Sequence, residues 1–176
     1  MSTTLLIYAS QFGQTHKISE RIRTQLEEKG ETVEMVPLAE APKSLEGYDK
    51  VLLACSIYHG KHRPELYQYI AEHQAELDAR HNAFFSVNLV ARKPHKSDPD
   101  TNPYVRQFLT KTPWQPKLLG VFGGVIDYQR YNWFDRNIIR FIMYLTKGPT
   151  DPNSQIEYTQ WDRVDQFALE FAGLGR

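Results

Sequence analysis

Two continuous apolar runs, Leu5-Leu6-Ile7 and Val51-Leu52-Leu53-Ala54, constrain this chain most strongly. Each is too short to be a buried helix, and each is followed at a distance by a helix-length segment. Strands without polar alternation are covered on both faces, and that requires a parallel sheet between two helical layers. A helix is expected over about 15–29, with Ile18, Ile22 and Leu26 on one face and Gly30 as its stop. Further strands are expected over 32–38, 50–55, 83–87 and the Gly-rich 118–125. A helix should follow Pro64, burying Leu66, Ile70 and Leu77, and a last one over 161–172 should bury Val164, Phe167, Ala168 and Phe171. The pattern predicts an open α/β fold, with right-handed crossovers and helices on both faces. Five strands fit the order 2-1-3-4-5 better than a six-stranded dinucleotide-binding sheet. At 176 residues this is one expected domain, 1–176, large enough to need no disulfide or metal staple. Two connections are long: 89–117, which holds five prolines, and 126–155, an expected insertion after strand five. Long connections in a compact domain are functional or mobile.

Several classes fall away. The single cysteine, Cys55, excludes an internal disulfide framework and a multi-cysteine zinc site, and no metal is expected. It ends an apolar strand and reads as a small buried residue. No apolar run is long enough to span a bilayer, and Met1 to Ala9 lacks the features of a signal peptide, so the default compartment is the cytoplasm. The net charge of zero conceals an uneven distribution. Residues 1–91 carry nine basic and twelve acidic side chains, 92–148 carry ten and four, and 149–176 carry two and five. The basic middle suits an anionic partner or simply a solvated face. It holds no recognised nucleic-acid motif, and none is expected as a partner.

The first strand empties into Ser10-Gln11-Phe12-Gly13-Gln14-Thr15 and then into a helix. This is the carboxyl end of a central strand, where open parallel sheets bind ligands. Helix-start amides and the hydroxyls of Ser10 and Thr15 suit a terminal phosphate, and Gly13 permits close backbone approach. No Walker lysine and no G-x-G-x-x-G is present. A plain βα turn with a Thr cap would have a similar sequence. Two further strand ends open beside it. Ser56, Tyr58 and Gly60 follow strand three, and Asn88, Leu89, Val90 and Ala91 follow strand four. Tyr58 reads either as a ring for stacking or as surface packing, and His59 either as a proton shuttle or as a solvated loop histidine.

The first loop resembles the phosphate loop of flavodoxins, Ser/Thr-x-Thr-Gly-x-Thr, departing from it at Phe12. The resemblance implies a flavodoxin-like fold and bound FMN, with Ser10 to Thr15 on the phosphate and the other two strand ends on the flavin ring. Three longer strings narrow it: Ala54-Cys55-Ser56-Ile57-Tyr58-His59-Gly60, Ser86-Val87-Asn88-Leu89-Val90-Ala91-Arg92-Lys93-Pro94 and Tyr128-Gln129-Arg130-Tyr131-Asn132-Trp133-Phe134-Asp135-Arg136. They resemble the bacterial menaquinone-dependent protoporphyrinogen dehydrogenases, over nearly the whole chain. That resemblance implies a heme-biosynthesis enzyme, peripheral on the cytoplasmic face of the inner membrane. It would oxidise protoporphyrinogen IX in three two-electron flavin cycles and pass electrons to menaquinone or ubiquinone. Arg92, Lys93, Arg130 and Arg136 are the candidates for the substrate's propionates. The same fold also hosts one-electron carriers and NAD(P)H:quinone reductases, which stand as alternatives.

Within the insertion, a helix is expected over about 134–145. Phe134, Ile138, Phe141, Ile142 and Leu145 fall on one arc, with Arg136, Arg140 and Lys147 opposite. About 18 Å of helix cannot cross a bilayer. The arc suits the domain's own sheet, a dimer seam that leaves a homo-oligomer open, or an anionic membrane surface contacted through 131–147. The resemblance favours the last.

Overall fold

The computed structural model describes residues 2–175. Five parallel strands form the main sheet: β1 (Thr3–Ala9), β2 (Thr32–Pro37), β3 (Lys50–Ser56), β4 (His81–Asn88) and β5 (Leu119–Gly123), in the order β2-β1-β3-β4-β5. This is the order expected from the sequence. Helices α1 (Gln14–Glu28) and α2 (Pro64–Asp78) cross between the first strands. α2 begins with Pro64, whose fixed φ and missing N–H cost nothing in a first helical turn.

The period-two geometry of the strands explains the continuous apolar runs. Leu6, Leu52, Ala54, Phe85 and Val87 pack on one face with Ile18, Ile22 and Leu26 of α1. Leu5, Ile7, Val51, Leu53 and Phe84 pack on the other with Leu66, Ile70 and Leu77 of α2. The last helix, α5 (Trp161–Ala172), lies beside α1 and buries Val164, Phe167, Ala168 and Phe171, as expected. Gly120 is required there, because a Cβ on it would stand 2.7 Å from the Phe167 ring.

Two expectations are corrected. The connection 89–117 is not an irregular loop: it contains the helix α3 (Pro103–Lys111). A parallel β4–β5 pair needs a covered crossover, and Phe108 and Val105 of α3 supply the cover. Asn102 caps this helix by accepting from the amides of Tyr104 and Val105. The run 118–125 is also not one strand. It breaks after Gly123, and a short strand β6 (Val125–Asp127) leaves the sheet to pair antiparallel with β7 (Gln155–Glu157). Thus the insertion opens and closes on its own two-stranded ribbon. Between these strands lies α4 (Trp133–Leu145), whose N-cap Asn132 accepts from Asp135 N at 2.7 Å.

On α4, of the three placements the sequence left open for the apolar arc, packing on the domain's own sheet is not the one adopted. The arc does not lie against the protein: Phe134, Phe141, Ile142 and Leu145 are exposed, as are Trp133 and Tyr144. The polar side faces inward. Arg136 Nε donates to Tyr128 O at 3.1 Å, Arg140 Nε donates to Thr150 O at 2.8 Å, and Asp135 and Met143 are buried. No helix among the described residues is long and apolar enough to cross a membrane.

Candidate functional site

The carboxyl ends of β1, β3 and β4 open into one cleft. The loop after β1 forms one end, and the segments after β3 and β4 form the sides. Ile138, Ile139, Ile142 and Met143 of α4 form an apolar wall opposite. A mostly apolar cleft with a few convergent polar groups is the form small-molecule sites take.

At the β1 end, Gly13 adopts φ 98°, a left-handed conformation that glycine takes without strain. Its amide donates to Ser10 Oγ at 2.9 Å. The first helical bond of α1 runs from Lys17 N to Gly13 O, so the amides of Gln14, Thr15 and His16 have no partner within the helix. Thr15 Oγ1 and Ser56 Oγ line the cleft and are buried without a hydrogen-bond partner. Buried polar atoms are nearly always paired, so these two orphans mark where a ligand's oxygens fit. Two guanidinium groups brace the loop. Arg63 Nη2 donates to Ser10 O at 2.9 Å and to Gln11 Oε1 at 3.2 Å, and Arg130 Nη1 donates to Phe12 O at 2.8 Å. Both place positive charge beside the helix start, where an anion is favoured.

Phe12 now has a physical role. Its ring lies 4.7 Å from that of Tyr131 and packs with the buried Ile126, Tyr128 and Met143. Where flavodoxins have a hydroxyl, this chain uses an apolar residue to anchor the insertion onto the loop after β1.

After β3, Tyr58 and Lys61 close a tight turn, with His59 at φ 51° and Gly60 at φ 78°. Tyr58 OH donates to Asp135 Oδ2 at 2.7 Å, His59 Nε2 lies 2.9 Å from Asp135 Oδ1, and the two rings stack at 4.0 Å. Burial pushes the Asp135 carboxyl upward, but hydrogen bonds from His59 and Tyr58 outweigh it and hold the group below its ordinary value. After β4, Asn88 exchanges amide hydrogen bonds with Asn102 at 3.0 and 3.2 Å and accepts from Ala91 N, leaving Leu89 and Val90 toward the cleft.

Most of the sequence-predicted residues meet here: Ser10, Gln11, Phe12, Gln14, Thr15, Ser56, Tyr58, His59, Gly60, Asn88, Leu89, Val90, Arg92 and Arg130 all line the cleft. Gly13 and Ala91 support it without lining it. Lys93 and Arg136 do not line it, and Arg136 instead holds α4 to Tyr128. Arg92 reaches the cleft while donating to Leu89 O and Thr146 Oγ1. The sequence reading missed Arg63, Asp135 and the α4 wall. Asp135 had one legible signal, an acidic residue on an otherwise apolar arc.

Comparison with known proteins fits this geometry. Residues 5–153 match the model of the flavodoxin domain family. Two relatives named protoporphyrinogen IX dehydrogenase (quinone) align across nearly the whole chain. The one from Escherichia coli strain K12 is 38% identical over 97% of this chain and 95% of its own. The one from Leishmania major is 42% identical over 97% of this chain and 74% of its own. The chain belongs to the quinone-dependent protoporphyrinogen IX dehydrogenases of the flavodoxin domain family. It is therefore an oxidoreductase. Oxidised flavodoxin 1 from Bacillus cereus shares the fold, with a TM-score of 0.58 at 16% identity over 99% of this chain and 100% of that one. In this dehydrogenase family member, the flavodoxin framework carries an inserted helix as one wall of the cleft.

Proposed function

We propose that the protein binds FMN in this cleft and oxidises protoporphyrinogen IX to protoporphyrin IX, with a respiratory quinone as acceptor, as a step of heme biosynthesis. The observation that carries the reading is the pairing of orphaned hydroxyls, Thr15 Oγ1 and Ser56 Oγ, with an apolar α4 wall in one cleft. The names of the two relatives support it.

The α1 amides, Ser10 and Thr15 would hold the phosphate, with Arg63 and Arg130 keeping their loop positive. Ser56, Tyr58, Gly60, Leu89 and Val90 would meet the ring system. FMN supplies a two-electron acceptor, so the six-electron oxidation takes three turns. Arg92 and Arg130 are the cleft cations suited to a propionate. The whole chain would act as one unit, peripheral on the cytoplasmic face of the inner membrane. There the outward apolar face of α4 would rest in an anionic leaflet and open the cleft to quinone.

The test is anaerobic addition of protoporphyrinogen IX to the FMN-loaded protein, with and without a soluble naphthoquinone, following porphyrin fluorescence. Quinone-dependent porphyrin formation above an FMN-only control is expected. A reducible bound flavin with no turnover would overturn the reading in favour of an electron carrier or a nicotinamide-linked quinone reductase, which NADH and quinone together would separate.

A further inference from the structure

Asp135 sits on the insertion helix, yet its carboxylate reaches the turn after β3. It is 4% exposed, and both of its oxygens are engaged by cleft residues, Tyr58 OH on Oδ2 and His59 Nε2 on Oδ1. A carboxylate only accepts, so the proton of a neutral His59 lies on Nε2, and Nδ1 carries the lone pair. Nδ1 has no hydrogen-bond partner among the described residues, and His59 lines the cleft with its side chain 42% exposed. The ring is fixed on three sides: the carboxylate at Nε2, the stacked Tyr58 ring at 4.0 Å and the edge of Phe134 at 6.3 Å. His59 itself adopts φ 51°, an unfavourable conformation for a residue with a Cβ, held here by the Tyr58–Lys61 bridge. A strained turn and a buried carboxylate from another element converge on one imidazole.

We propose that Asp135 is a positioning residue that holds His59 as the proton acceptor of the reaction. The inference rests on the proposed substrate. Oxidising a porphyrinogen to a porphyrin removes one hydrogen from each of the four meso carbons and one from each of two pyrrole nitrogens, as three hydrides and three protons. In each two-electron step one meso C–H bond would break, and its hydride, with both electrons of the bond, would go to the flavin when that is bound. The accompanying proton comes from a pyrrole N–H in two of the steps and, in net terms, from the fourth meso carbon in the other; it goes to His59 Nδ1, and the electron pair it leaves stays on the macrocycle in the new double bond. The resulting imidazolium is stabilised by the carboxylate at Nε2, and a proton is returned to solvent through the exposed ring edge. Asp135 touches neither substrate nor flavin in this scheme, and its influence passes through His59.

Two measurements test it together. The first is the tautomer of His59, read from its imidazole ¹⁵N shifts at about pH 8.5, above the ordinary imidazole range, with and without FMN. The wild type should show the Nε2–H form. In Asp135→Asn the amide offers a donor where the carboxylate offered only acceptors, so the Nδ1–H form should become populated. The second is turnover of protoporphyrinogen IX by wild type, Asp135→Asn, His59→Ala and the double variant. His59→Ala and Asp135→Asn should each lower kcat by about 100-fold or more with KM little changed, in the range general-base removal produces. The double variant should be no slower than His59→Ala alone. Multiplying effects in the double variant, or an unchanged tautomer in Asp135→Asn, would overturn the proposal. A tautomer switch between wild type and Asp135→Asn, in a wild type that turns over no porphyrinogen, would overturn the proton-acceptor role and the substrate reading, and leave the positioning of His59 by Asp135 supported.

Discussion

Thr15 Oγ1 is buried with nothing to bond, and this separates its contribution to the fold from its contribution to a ligand. An isosteric Thr15→Val removes no hydrogen bond from the ligand-free protein. Its urea midpoint should hold or rise slightly, while FMN affinity, followed by quenching of flavin fluorescence, should weaken about tenfold for a lost bond to a charged phosphate. His62 makes the opposite case, a buried side chain whose cost appears with pH. It is 1% exposed, donates or accepts at Ser86 Oγ at 2.7 Å, and lies against Phe84 and Phe108. Burial, with the Lys111 charge adding to it, pushes its pKa down to about 3 from 6.5. Between those values the unfolded chain binds a proton that the folded chain refuses, so stability falls as pH falls through that window. The loss from this group between pH 7 and pH 5 should be about 2 kcal/mol by urea denaturation, and His62→Gln should remove it. The β1 loop was legible because glycine and hydroxyls follow an apolar strand directly. Arg63 was not, and Asp135 showed only as an acid on an apolar arc, since their partners lie 53 and 76 residues away in sequence and only the fold brings them together.

At the scale of elements, α3 was hidden by prolines that flank it without interrupting it: Pro103 occupies its first turn and Pro113 lies beyond its end. Composition pointed to a loop, whereas the parallel β4–β5 pairing demands a crossover. The helix α4 was legible in extent and amphipathicity, but its orientation was not, because periodicity identifies an apolar face without saying what covers it. Here that face is turned outward, with Arg136, Arg140 and Asp135 bonded inward. Phe141 and Leu145 therefore contribute little to the fold, and each would gain about 1.5–3 kcal/mol on leaving water. Replacing both by Ser should leave the thermal midpoint and FMN binding near wild type. Sedimentation with anionic liposomes should fall by at least about 100-fold. Undiminished sedimentation would remove α4 as the membrane contact.

Across the whole molecule, the cleft draws on α1, β3, β4, β6 and α4, so a ligand there ties together elements from most of the chain. FMN at about 100 times its dissociation constant should add about 2.7 kcal/mol to global stability and raise the thermal midpoint by about 5–10 °C in calorimetry. A single sharper transition is expected, and an insertion melting separately from the sheet would count against the shared site. The parallel sheet was legible as a whole because each strand announces itself locally. The closing of the insertion onto the β1 loop through Phe12 was not, because an apolar residue in a polar turn has meaning only beside Tyr131 and Met143. One long-range contact also bears on how the protein is made. The core face of α1 is covered by α5, with Arg21 and Asp165 paired at 2.9 Å above Ile18, Ile22, Phe167 and Phe171. During synthesis, α1 leaves the ribosome long before the segment around Phe167 and lacks its α5 neighbour until that segment emerges. A nascent chain thus carries a partly open apolar flank while the residues between them are made, and that flank is where a chaperone would take hold.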